Sequence, residues 1–344
     1  MGNGTAVHTR RAAGIVAIGI PALVLSMMVV ATIGPAGLTV ADVAAILGEQ
    51  FGVGSADVSR IGTGIVMDLR LPRILLAAIC GAGLGVCGAV LQSLLRNPLA
   101  DPFLLGISGG ASTGAVLVIV LGLGAGTLGL AAGAFLGAII AFALVMVLAT
   151  VSGGGTSRVI LAGVAGTQLF SALTSFIVIT SADAEQTRGV LYWLLGSLSG
   201  ARWDDVAISG LVSLVGLVIC LSRAGSLDAF AFGQDSAASL GVNVRALRWL
   251  LLTVTALLTA TLVAVSGVIG FVGLVLPHAA RMLVGPGHRA LLPVTAVLGA
   301  VLLVWVDTLA RTVAEPEEIP VGVGTALVGV PVFIAILARR KVAS

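Results

Sequence analysis

The sequence predicts an all-α, polytopic integral membrane protein of about ten transmembrane helices, and three observations predict it. Hydrophobic residues make up 58% of the 344 residues and charged residues 10%, with a mean hydropathy of +1.16. A soluble domain carries about 25% charged residues to cover its surface. The apolar stretches run to about 20 residues, the length at which a helix rising 1.5 Å per residue crosses roughly 30 Å of hydrocarbon. The strict alternation over about 10 residues that marks a transmembrane barrel strand is missing. The 47 glycines follow no G-X-Y period, and in apolar runs they suit closely packed membrane helices.

Ten spans follow in order: 14–33, 71–93, 103–121, 127–150, 158–180, 204–222, 247–266, 268–283, 290–310 and 321–338. The first follows Arg10-Arg11 and resembles a signal peptide, but its apolar run is long and lacks a small-x-small cleavage site, so a retained anchor is expected. The seventh and eighth are joined by Ser266-Gly267-Val268-Ile269-Gly270 and are expected to be shorter or tilted. Residues 1–13 and 339–344 are read as tails around a transmembrane domain, 14–338. Segment 34–70 contains Leu38 to Val43 with the spacing of a short amphipathic helix. Segment 181–203 carries Tyr192, Trp193 and Trp203, aromatics suited to the bilayer interface. Segment 223–246 is too polar to span and has helical spacing in two pieces broken by Gly233.

Orientation follows from the basic residues flanking the spans. With the N-terminus in the cytoplasm, 12 of the 18 basic residues fall inside and 6 outside, while 12 of the 15 acids fall outside. The even number of spans and the charge bias agree on a multi-pass protein of the cell membrane with both termini cytoplasmic.

The motifs exclude more than they assign. A Walker A loop needs G-x-x-x-x-G-K-[ST], whose lysine reaches the β- and γ-phosphates. The only lysine is Lys341, followed by Val342 and preceded by no such glycines, so any ATP chemistry belongs to another chain. G-x-G-x-x-G occurs at Gly83–Gly88 and Gly124–Gly129, but neither follows a strand and opens a helix, as a dinucleotide site requires. Gly81 and Gly85 instead form a smooth helix face. Cys80, Cys87 and Cys220 lie in apolar runs and indicate neither a disulfide nor a metal site. His8, His278 and His288 are too scattered for a metal cluster. His278 is read as structural, with a proton-relay role as the alternative. No Ser-His-Asp or carboxylate pair converges in sequence, which argues against an intramembrane hydrolase.

Two polar features remain. Arg70, Arg73 and Arg311 sit at the outer edges of spans, where they offer planar, permanently charged forks to a partner's carboxylates. The alternative is snorkelling, or pairing with Asp68, Asp307 or Glu315. In the fifth span, Thr167, Gln168, Ser171, Thr174 and Ser175 form a stripe at helical spacing that must face protein or water. A pathway lining and an interhelical hydrogen-bonded seam both satisfy that demand. No intramembrane stripe of Glu or Arg suggests an ion pump or voltage sensor, and nothing suggests nucleic acid.

Several segments together resemble one family. They are Leu69-Arg70-Leu71-Pro72-Arg73, Gln92 to Gly106 (QSLLRNPLADPFLLG), Thr156-Ser157-Arg158 with Leu161-Ala162-Gly163, and Tyr192 to Leu198. Further on come Gly267 to Arg281 (GVIGFVGLVLPHAAR), Asp307 to Arg311, Ile319 to Gly322 and Gly329-Val330-Pro331. In this order, from about residue 68 to the end, they are similar to the permeases of vitamin B12, ferric-siderophore and haem ABC importers, the type II importer permeases.

The resemblance implies ten transmembrane helices, a second permease subunit (self or a homologue), two cytoplasmic ATPase subunits that bind ATP and Mg, and an extracytoplasmic solute-binding protein. No cofactor is expected on this chain. It also implies site roles. Arg70, Arg73 and Arg311 would meet acidic residues of the binding protein, and Thr156 and Ser157 would form the cytoplasmic gate. Leu227, Phe232, Gly233, Gln234, Asp235, Leu240 and Gly241 would belong to coupling helices resting on the ATPase. Gln234 departs from the pattern, since members often carry Glu there; Asp235 follows it. The expected activity is import of an iron–siderophore complex, with haem or cobalamin as the alternative substrate. A secondary transporter, the reading from another class, would need an inverted repeat and a coupling-ion site, and neither is found.

Overall fold

The computed structural model describes residues 2–55, 57–122, 127–231 and 233–342, and among them every regular element is helical. Helix α1 (Gly2–Thr32) is followed by α2 (Val40–Gln50), which begins at a reciprocal cap. The Thr39 hydroxyl accepts from the Asp42 backbone N–H while the Asp42 carboxylate accepts from that of Thr39, satisfying donors that the first turn leaves open. The amphipathic segment expected near Leu38–Val43 is the start of this helix.

Helix α3 (Arg60–Gly64) runs through a π-helical stretch, Ile65–Arg70, into α4 (Leu71–Leu94). The second span therefore begins 11 residues earlier than the apolar pattern suggests, capped by Ser59. Pro72 has no N–H and would crowd the carbonyl four residues back. The wider turn ahead of it, where the Leu71 N–H reaches Val66 O, lets the helix continue through the proline.

A 3₁₀ turn (Pro102–Leu105) and Gly106 lead into α5 (Ile107–Leu121), so the third span starts later than expected. Then come α6 (Thr127–Val151), α7 (Thr156–Ser181), α8 (Ala184–Leu194) and α9 (Trp203–Ser222). The polar segment forms α10 (Ala224–Ala231) and α11 (Gln234–Ser239). The chain closes with α12 (Val244–Ser266), α13 (Val272–Val284), α14 (His288–Thr312) and α15 (Val321–Val342). Each of the ten expected spans has a helix. Seven are long and apolar enough to cross a membrane, and α5, α13 and α15 add shorter apolar helices. Of the two spans expected to be shorter or tilted, α13 is short, at 13 residues, while α12 has 23.

Helix α4 is the hub. It packs on α14, α13, α9 and α12, and its approach to two of them is backbone on backbone. A Cβ at Gly81 would overlap the carbonyl of Gly299 on α14, and one at Gly88 would overlap that of Gly273 on α13. The first G-x-G-x-x-G match thus lies inside a packed helix. A second glycine seam joins α5 to α6 through Gly110, Gly114, Gly133 and Gly137, and α7 packs on that pair. Two tightly joined sets result, α4–α13–α14 and α5–α6–α7, with α12 packed against both α4 and α6.

Candidate transport pathway and its two ends

His288 and Arg311 mark opposite ends of α14, about 35 Å apart at helical rise. At the Arg311 end the three expected arginines converge, but their donors are largely turned inward. Arg70 is buried and donates from Nη1 to Ala31 O at 2.5 Å. Arg73 forms a fork on the buried Asp307, with Nε and Nη2 at 2.9–3.1 Å, and reaches both oxygens of Glu318 at 3.0 Å. Arg311 donates from Nη2 to Val30 O at 3.0 Å, while its buried Nε has no partner among the described residues. Of the carboxylates named from sequence as pairing alternatives, Asp307 takes Arg73; Glu318, not Asp68 or Glu315, is the second partner. Such charge-assisted forks are worth more than a neutral hydrogen bond. The cluster lines a depression of about 510 Å³ with Pro35, Ser199 and Leu69.

Along α7 the polar stripe divides. Thr174 is buried, and its hydroxyl lies 2.9 Å from that of Thr113 on α5, which in turn is 2.9 Å from Phe170 O. That pair is an interhelical seam. Thr167 donates back to Gly163 O at 2.9 Å. Gln168, Ser171 and Ser175 are exposed, and Ser175 donates to Ser171 O. Gln168 and Thr167 border a depression of about 270 Å³ shared with Ser108 and Asp101. Asp101 lies in the loop before the 3₁₀ turn and accepts from the Phe103 N–H at 2.9 Å. Burial pushes its carboxyl up to about 6, against the lowering effect of that bond. At the foot of α7, Thr156 is half-buried and Ser157 exposed, directly after Gly153, Gly154 and Gly155, all at positive φ.

At the His288 end, α10 and α11 are separated by Gly233, at φ 109° and ψ 163°, a conformation essentially confined to glycine. Leu227 is fully buried, so its side chain packs into the core, whereas Leu240 is 72% exposed. Asp235 and Gly241 are exposed and Gln234 opens α11; Phe232 lies outside the described residues.

The same end holds a constellation that sequence reasoning missed. The Asp228 carboxylate on α10 accepts from His288 Nδ1 at 2.6 Å and from the His288 backbone N–H at 2.9 Å. His288 Nε2 lies 2.7 Å from Ser93 Oγ on α4. Serine, histidine and aspartate meet here although the spacing of their sequence positions, 93, 288 and 228, gave no sign of it. Ser93 sits inside α4 with its hydroxyl on Ala89 O at 3.1 Å, in a helix whose own backbone donors serve its internal hydrogen bonds and offer no oxyanion hole of the kind a hydrolase uses. Beside it, the Gln92 amide donates to Gly273 O and Leu274 O on α13, and its oxygen accepts from Arg281 at 2.6 Å.

Comparison with known proteins gives one answer. The FecCD transport family matches residues 22–339. The chain is 44% identical over 294 residues to the cobalamin import system permease of Halobacterium salinarum, covering 85% of this chain and 77% of that one. It is 42% identical to the hemin transport system permease of Yersinia pestis, covering 80% and 84%. It is 37% identical to the Fe(3+)-citrate import system permease of Bacillus subtilis, covering 86% and 91%. A solved inward-facing structure, assigned to the metal-chelate type of ABC transporter, superposes with a TM-score of 0.84 at 33% identity, over 95% of this chain and 99% of that one. The chain belongs to the FecCD transport family of multi-pass ABC importer permeases.

Proposed function

We propose that this permease carries a ferric siderophore into the cytoplasm by alternating access, driven by ATP hydrolysed on separate subunits. In this reading the end holding α10 and α11 faces the cytoplasm and rests on two ATPase chains. The arginine end faces outward and receives a solute-binding protein through Arg70, Arg73 and Arg311. Thr156 and Ser157 gate the inner mouth.

The observation that carries the reading is the exposed face of α7. Gln168, Ser171 and Ser175 project from an apolar membrane helix, where polar groups must meet water or protein. The exposed Phe176 and Ile179 of the same helix suit contact with a second permease copy, self or homologue. Together they form a wide path between two subunits, lined by small hydroxyls that touch a bulky chelate weakly. Tight binding would slow release, so affinity belongs to the binding protein. The relatives named for cobalamin and hemin support a second reading, in which the cargo is another metal held in a large organic ligand; the 44% identical relative favours cobalamin.

Uptake of a labelled ferric siderophore, cobalamin and haem into cells that lack other importers and express the full transporter separates these readings. Siderophore uptake is expected. Cobalamin or haem uptake alone, or uptake of none of the three, would overturn the assignment of a ferric siderophore as cargo.

A further inference from the structure

The chain from Asp228 through His288 to Ser93 ties α10, which the apolar core alone would leave free to slide, to α14 and α4. Leu227 and Phe230 bury the inner face of α10 against the core, a contact that fixes distance but not direction. The polar groups add direction. One carboxylate oxygen of Asp228 takes both the imidazole Nδ1–H and the first backbone donor of α14, so Asp228 caps α14 from a different helix. The dipole of α14 favours a negative charge at this position. His288 is 3% exposed, and in such surroundings each bond is stronger than in water and costly to leave unmade. The far side of the ring reaches Ser93, whose neighbour Gln92 holds α13. Above these contacts, the glycine approaches of Gly81 to Gly299 and Gly88 to Gly273 leave α4, α13 and α14 no room to shift against one another.

We propose that Asp228, His288 and Ser93 are positioning residues that transmit displacement of α10 to α4, α13 and α14 as one block. The block then moves relative to α5, α6 and α7, which carry the pathway face and the gate. The three side chains do not touch the cargo; they convert movement at the ATPase-facing end into opening. This inference rests on the importer reading above.

The test uses the complete transporter, with its ATPase subunits and binding protein, in proteoliposomes, and reads both ATP hydrolysis and substrate moved per ATP. For Asp228→Asn, His288→Gln and Ser93→Ala, hydrolysis should stay within about twofold of the unmodified complex. Transport per ATP should fall by about tenfold for Asp228→Asn and His288→Gln, the scale of losing a bond to a charged group, and by about threefold for Ser93→Ala, which removes one hydroxyl bond. The double variant Asp228→Asn with His288→Gln should lose much less than the two single losses combined, because both changes break the same imidazole–carboxylate contact. Ser93→Ala, the smallest change, serves if the others fail to assemble. Unchanged transport per ATP in assembled variants would overturn the proposal. So would hydrolysis and transport falling together with the thermal midpoint, the mark of a merely structural role. Absence of ATP-dependent uptake by the unmodified complex would instead defeat the importer reading, and this inference with it.

Discussion

Replacing Gly88 by alanine tests the packing on which every functional statement depends. A Cβ built there lies 2.5 Å from the carbonyl carbon of Gly273 and 2.6 Å from its Cα, and nearer still to its carbonyl oxygen. All three are backbone atoms, so no side chain can rotate away. To restore even 3.0 Å from that oxygen, α13 must retreat by about 1 Å along a contact that is already helix on helix. Overpacking of this kind costs about 1–3 kcal/mol, occasionally more. The matching control is Gly189→Ala on α8, where a Cβ meets nothing within 4 Å and the gain in helix propensity is about 0.5–1 kcal/mol. Thermal unfolding in detergent should therefore move the two variants in opposite directions, Gly88→Ala down and Gly189→Ala level or up. Because α13 also holds the Gln92 contacts, transport should fall with Gly88→Ala as well. A thermal midpoint for Gly88→Ala at or above that of the unmodified protein would refute the reasoning.

Two further outcomes follow from the polar sites. The Asp101 carboxyl is raised from near 3.8 to about 6, so between those values the folded protein holds a proton that the unfolded chain releases. Stability is then greatest below pH 4 and declines as pH rises through 6, by at most about 3 kcal/mol. A thermal midpoint that falls from pH 5 to pH 7.5 in the parent, and stays level in Asp101→Asn, is the expected pattern; equal slopes would contradict it. At the opposite end, Arg73→Ala strands the buried Asp307 and should cost about 3–5 kcal/mol of stability. Arg311→Glu should chiefly weaken binding-protein docking, more so at low salt. Affinity for the binding protein measured across a salt series checks this, and an unchanged value for Arg311→Glu would count against a docking role.

The helices were legible because hydrocarbon imposes a length, and ten apolar runs, seven of them in helices of full spanning length, leave little choice of class. Two reciprocal N-terminal caps, Thr39 with Asp42 and Asp183 with Gln186, form and went unread, although their spacing fits the pattern. What the apolar pattern could not show was that the second span reaches back to Arg60, because a π-helical stretch leaves no hydropathy signal. Asp307 was readable as a partner for Arg73, since both sit at span ends on one side of the membrane. Glu318 was not, as its approach depends on the turn that leads into α15. The tie between Ser93 and His288 joins residues 195 positions apart, and no local spacing encodes such a contact. One hint was available: Asp228, Ser93 and His288 all fall at the same end once the spans are alternated. The division of the α7 stripe into a buried Thr174 and an exposed Gln168, Ser171 and Ser175 likewise required the position of α5.

The most direct measurement of the central claim is cargo uptake by proteoliposomes containing this permease, with and without its ATPase subunits, ATP and an imposed ion gradient. The account predicts uptake only when ATPase and hydrolysable ATP are both present on the side of α10 and α11, and none on an ion gradient alone. Equal uptake by the permease on an ion gradient, with no ATPase present, would contradict it.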